Sequence, residues 1–103
     1  MSFGRVNCML VVTAGVTPRV PLNRGARSVE RVGPGHYEVE LGHPVNEEGA
    51  TFCLTLREGA PGSVAVQSWV EHDVTNPAVK RVRTRVDGVD TDLDFDLTVL
   101  GIT

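Results

Sequence analysis

Valine in period-two runs, set between glycine and proline turns, most narrows what this chain can fold into. Eighteen of its 103 residues are Val, and a branched β-carbon stiffens the first side-chain torsion and favours extended backbone. Tyr37, Val39 and Leu41 alternate with His36, Glu38 and Glu40, the pattern of a strand buried on one face. Gly33-Pro34-Gly35 precedes that run and follows Ser28–Val32, so the whole stretch reads as a β-hairpin. Phe52, Leu54 and Leu56 alternate with Cys53, Thr55 and Arg57 up to a turn at Gly59-Ala60-Pro61-Gly62. Strands are expected again over 63–72, with Val64, Val66 and Val70 opposite Ala65, Gln67 and Trp69, then over 79–86 and 94–102. The last presents Phe95, Leu97 and Val99 inward. That gives seven or eight strands, no helical periodicity and no repeat, an all-β sandwich or barrel.

The run Val6–Thr13, with Cys8, Met9, Leu10, Val11 and Val12 unbroken, reads as a strand covered on both sides, by the core or by a partner subunit. Residues 14–26, with Pro18, Pro21, Gly25 and scattered Arg, read as a long loop, and 42–50 as another. At this length one domain is expected, with a core of modest size. No apolar run reaches the roughly 18 residues that span a bilayer, and the first fifteen residues lack the pattern of a signal peptide. A formal charge of -3 argues against nonspecific nucleic-acid binding. Without an export signal, Cys8 and Cys53 are expected as packed thiols.

Candidate chemistry is sparse. The series Asp87, Asp90, Asp92, Asp94 and Asp96 has the oxygen-rich look of a Ca²⁺ loop, but lacks the glycine and the bidentate glutamate such a loop needs. The preferred reading is a salt-bridged ladder, with Arg81, Arg83 and Arg85 facing Asp94 and Asp96. The basic run has no interleaved aromatics to stack on nucleic-acid bases. His36, His43 and His72 have no metal-ligand spacing, and no serine lies in a nucleophile elbow. Neither an enzyme nor a cofactor is expected. Trp69 reads as a core residue. If its face is exposed, it stacks on a sugar or anchors a partner.

The stretch Val29-Glu30-Arg31-Val32-Gly33-Pro34-Gly35-His36-Tyr37-Glu38-Val39-Glu40-Leu41 resembles a hairpin of small phage and bacterial β-sandwich domains. The segments Val82–Gly88 and Asp92–Leu100 resemble the closing hairpin of the same domains, so the likeness extends over residues 27–103. Such domains occur in tail-fibre tips and virion surface proteins, often as trimeric jelly rolls, and their pattern carries no catalytic residues. The resemblance implies a jelly-roll-like sandwich in a phage virion, as a head decoration protein or small tail-tip subunit, since no repetitive stalk precedes the sandwich here. The expected function is non-enzymatic: a homotrimer that decorates or caps a capsid or tail. Met9, Leu10, Val11, Val12, Arg19 and Arg24 would form the docking surface. The alternative is a glycan- or receptor-binding module acting through Trp69, Tyr37, His36 or the 42–50 loop.

Overall fold

The computed structural model describes residues 4–42, 50–56 and 66–102. Among these residues nine strands run in chain order: β1 Gly4–Thr13, β2 Arg19–Arg24, β3 Ala26–Gly33, β4 His36–Leu41, β5 Ala50–Leu56, β6 Val66–His72, β7 Val79–Val86, β8 Val89–Asp90 and β9 Phe95–Ile102. They form two packed antiparallel sheets, so the fold is a β-sandwich. One sheet has four strands in the order β2-β1-β9-β5. The other has five, in the order β3-β4-β7-β6 with β8 paired to β7. Adjacent strands β1/β2, β3/β4 and β6/β7 pair within one sheet, and the chain changes sheets at Gly25, on either side of β5, and between β8 and β9.

The core is what the alternation dictates. Tyr37, Val39 and Leu41 of β4 face Phe95, Leu97 and Val99 of β9, and Cys8, Leu10 and Val12 of β1 and Val82 of β7 complete the cluster. The Tyr37 and Phe95 rings meet at 5.5 Å between centroids. Fully burying one side chain of this size contributes about 1.5–3 kcal/mol. Phe52, Leu54 and Leu56 of β5 pack against the cluster from one sheet edge. Lys80 is also turned inward and buried, with its ammonium 5.4 Å from the centre of the Phe52 ring.

Three expectations change. Residues 14–26 are mostly strand: β2 occupies 19–24, and β3 starts after the single residue Gly25. Pro21 does not break β2, because β2 is an edge strand and proline's missing N–H is tolerated there. The run Cys8–Val12 is covered on one side only, with Cys8, Leu10 and Val12 inward and Met9 and Val11 outward. Two strands, β2 and the two-residue β8, bring the total to nine. Of the expected loop over 42–50, residues 43–49 lie outside the described residues, as do the turn Gly59–Gly62 and the start of the strand expected at 63.

Two turns hold their glycines by necessity. Val86 pairs with Val89 across Asp87-Gly88, both at positive φ (51° and 81°), which is the primed hairpin turn that suits the strand twist. Gly35, at φ 62°, sits where a β-carbon would overlap the Thr84 carbonyl and the backbone of Thr91.

Candidate functional site

The two sheets present opposite kinds of outer surface. On the five-stranded sheet the register sets Glu38, Arg81 and Glu71 in one row across β4, β7 and β6, and His36, Arg83 and Trp69 in the next. Arg81 reaches Glu38 at 3.5 Å and Asp73 at 2.9 Å. Arg83 lies 3.7 Å from Glu71 and 3.5 Å from Asp90, and Arg85 Nε donates to Asp90 at 2.7 Å. The ladder foreseen from the sequence therefore exists with other partners. Asp94 and Asp96 do not face Arg81, Arg83 and Arg85. The Asp87-Gly88 turn returns β8 along β7, so Asp90 reaches the ladder, and the chain then crosses to the other sheet. There Asp96 lies level with Val11 and Thr55, and Asp94 accepts a hydrogen bond from the Ala14 N–H at 2.8 Å.

Trp69 is not core. It is half-buried on this charged face, with the Arg85 and Arg83 guanidinium carbons 5.1 and 5.9 Å from its ring centre. Its Nε1–H donates to Glu71 at 2.9 Å. That hydrogen bond, assisted by Arg83 and opposed by burial, holds the Glu71 carboxyl below its ordinary value. Asp90 is lowered chiefly by Arg85. Asp73 falls well below the carboxylate range, because the Thr75 hydroxyl and N–H, Arg81 and the Asn76 N–H all donate to it. His36 is half-buried beside Arg83. Burial and then the Arg83 charge lower its pKa, and its Nε2 meets no hydrogen-bond partner among the described residues. Arg81, Arg83 and Arg85 thus all find carboxylate partners within this surface.

Tyr37 is withdrawn as a ligand contact: it is fully buried, because its position in β4 points between the sheets. Its hydroxyl belongs to a clamp that the sequence reading missed. Asp92 accepts from Tyr37 Oη at 2.9 Å, from the Gly35 N–H at 2.8 Å and from Arg31, whose Nη2 lies 3.0 Å away. The Gly15 N–H donates to the same tyrosine oxygen at 3.1 Å. Burial raises the Asp92 pKa, but these donors outweigh it and the net shift is downward. Burial pushes Tyr37 up to about 12. The clamp ties the β8–β9 crossing to the β3–β4 turn and the loop after β1. No local pattern could have found it, since Arg31 and Asp92 are 61 positions apart.

The outer face of the four-stranded sheet is different. Met9 and Leu22 are more than a third exposed, with Val11 and Leu100 half-buried between them and Thr13, Thr98, Thr51 and Thr55. Among the described residues its charges are Arg19, Arg24 and Asp96. Among the proposed docking residues, Met9, Val11, Arg19 and Arg24 reach this surface, whereas Leu10 and Val12 are core. The cysteines lie on opposite sides of the same sheet, Cys8 inward and Cys53 outward, both as free thiols, and burial pushes the Cys8 thiol up to about 11. Two side chains on opposite faces of one sheet cannot join in a disulfide within the chain. Among the described residues no group of three or more His, Cys, Asp or Glu is placed to hold a metal ion. No protein-family model, curated protein or solved structure matches the chain.

Proposed function

We propose that this chain is a non-enzymatic assembly domain that self-associates and builds into a larger particle through its four-stranded sheet. The observation that carries the reading is the contrast between the outer faces. One pairs Arg81, Arg83 and Arg85 with carboxylates on the same face. The other leaves Met9, Val11, Leu22 and Leu100 among threonines, with Arg19, Arg24 and Asp96 as its charges among the described residues, a largely apolar surface of the sort protein contacts use. Trp69 favours assembly over glycan stacking, because Arg83 and Arg85 already lie against its ring. The particle that best fits the resemblance of residues 27–103 is a phage virion, with the domain on the head or at the tail tip.

The test is solution mass by light scattering over a range of protein concentration. A species heavier than the 11.1 kDa chain is expected. It should survive EDTA, because no ion is invoked, and high salt, because the contact surface carries little charge. A chain that stays monomeric throughout refutes self-association, and a species that EDTA dissociates refutes a metal-free contact.

A further inference from the structure

We infer that two copies of this chain pair edge to edge through β5, antiparallel, about a two-fold axis at Cys53. The inference rests on the self-association proposed above and names its contact. Among the described residues the two open sheets have four edge strands, β2, β5, β3 and β6. Folded proteins blunt such edges with proline, charge or bulges, because unpaired backbone N–H and C=O groups recruit other strands. Edge β2 carries Pro21, Arg19, Arg24 and a break in register. Edge β3 has two register breaks and three charged side chains, Arg27, Glu30 and Arg31. Edge β6 carries Glu71 and His72, with the arginines gathered over Trp69.

Strand β5 has none of these devices. It pairs with β9 in unbroken register from Ala50 to Leu56, and its seven residues include no charge, proline or glycine. Among the described residues no strand pairs with its second edge.

The occupant follows from the side-chain order. Thr51-Phe52-Cys53-Leu54-Thr55 has the same in-and-out pattern read from either end. A two-fold axis at Cys53 sets Thr51 opposite the partner's Thr55, and Phe52 opposite the partner's Leu54. Threonines then meet on the outer face and apolar groups on the core side, so both layers continue across the join without a flip. Charge is compatible as well: no like charges face each other. Self-pairing of β2 would instead set Arg19 against the partner's Arg24. The β5 pairing fuses two four-stranded sheets into one continuous sheet and doubles the weakly charged outer face. It is isologous and closed, so it gives an even-numbered assembly in place of the trimer that the resemblance implies.

The geometry supplies its own probe. Residues directly opposite in an antiparallel pair have Cα atoms about 4.5 or 5.5 Å apart, inside the roughly 4.4–6.8 Å range of disulfides. Cys53 is exposed, whereas Cys8 is buried. Mild oxidation of the full chain with diamide should join two Cys53 thiols, their two protons and two electrons passing to the diamide. A covalent dimer is expected on a non-reducing gel, absent from Cys53→Ser and retained in Cys8→Ser.

A second measurement tests register in the Cys53→Ser background. Thr51→Lys with Thr55→Lys sets lysine against lysine twice across the axis, and the mass from light scattering should halve. Thr51→Lys with Thr55→Glu sets lysine against glutamate, and the mass should stay that of the dimer. Both threonines are exposed and turned away from the core, and a circular-dichroism melt confirms that each variant folds. An assembly that forms no Cys53 disulfide and has equal mass in the two charge variants overturns edge pairing but leaves self-association standing. A strictly trimeric mass also overturns the two-fold contact. A monomer at every concentration overturns both.

Discussion

Removing the Asp92 carboxylate tests whether the clamp organises one end of the sandwich. In Asp92→Ala, the Gly35 N–H and the Tyr37 hydroxyl lose their acceptor, and both residues are buried. An unsatisfied buried polar group costs about 1–3 kcal/mol. Arg31 keeps 19% of its side chain exposed and can turn to water, so its released ion pair adds no more than about 1 kcal/mol. The expected loss is about 4 kcal/mol, which for a domain of this size lowers Tm by roughly 15–30 °C. Asp92→Asn keeps one carbonyl oxygen for Gly35 and Tyr37, and should lose only about 1–2 kcal/mol. Because the donors lower the folded-state pKa of Asp92, its charge stabilises the fold above the ordinary carboxylate value. That contribution is lost as pH falls through the lower folded value. The gap between wild type and Asp92→Asn should therefore hold from about pH 7 to about 5 and shrink below about pH 4. Urea unfolding followed by circular dichroism reads both effects. An Asp92→Ala protein that melts within a few degrees of wild type refutes the clamp, and a gap that does not change with pH refutes the charge argument.

Gly35→Ala should cost well over 2 kcal/mol, since a β-carbon collides with Thr84 and Thr91, whereas Gly88→Ala should cost only about 1 kcal/mol because the space there is open; equal midpoints in urea would contradict this. Under non-oxidising conditions, and with the β5 edge free, a thiol-reactive dye should label one cysteine per native chain, Cys53, and the second, Cys8, only after denaturation. Rapid native labelling of Cys8 would show that the core opens easily. The lowered His36 pKa, set by burial and Arg83 with Arg81 adding and Glu71 and Glu38 opposing, means that neutral imidazole suits the fold. Stability should fall as pH drops below about 6.5, and His36→Gln should remove part of that fall between pH 7 and 5, as compared by urea midpoints.

How much could be read beforehand depended on whether one strand or several decided the matter. The inward order Tyr37, Val39, Leu41 and the order Phe95, Leu97, Val99 are period-two signals contained in single strands, and both are core in the sandwich. Strand β2 was hidden because an edge strand needs few buried side chains and tolerates Pro21. Alternation assigned Trp69 to the correct face of β6 but carried no information on whether that face was covered. The ladder's partners depended on pairing. Asp-Gly at 87–88 is the local signal for the hairpin that brings Asp90 to Arg85, whereas the likeness of 82–88 and 92–100 to one closing hairpin joins strands that lie in different sheets. The apolar run Cys8–Val12 concealed its own alternation, since nothing in Met9 or Val11 marks it as outward; pairing with β2 and β9 settles that.

Strands β1 and β9 lie side by side in antiparallel register, and Gly4 pairs with Ile102. A pull applied between those two residues would act across the ladder at its end, so the β1–β9 hydrogen bonds would be loaded one after another, as in a zipper, and not all at once in shear. A ladder loaded between those two residues opens at lower force than one loaded in shear. If the domain holds a particle together, its mechanical strength must come from load that draws neighbouring strands past one another along their length, where many bonds share the strain.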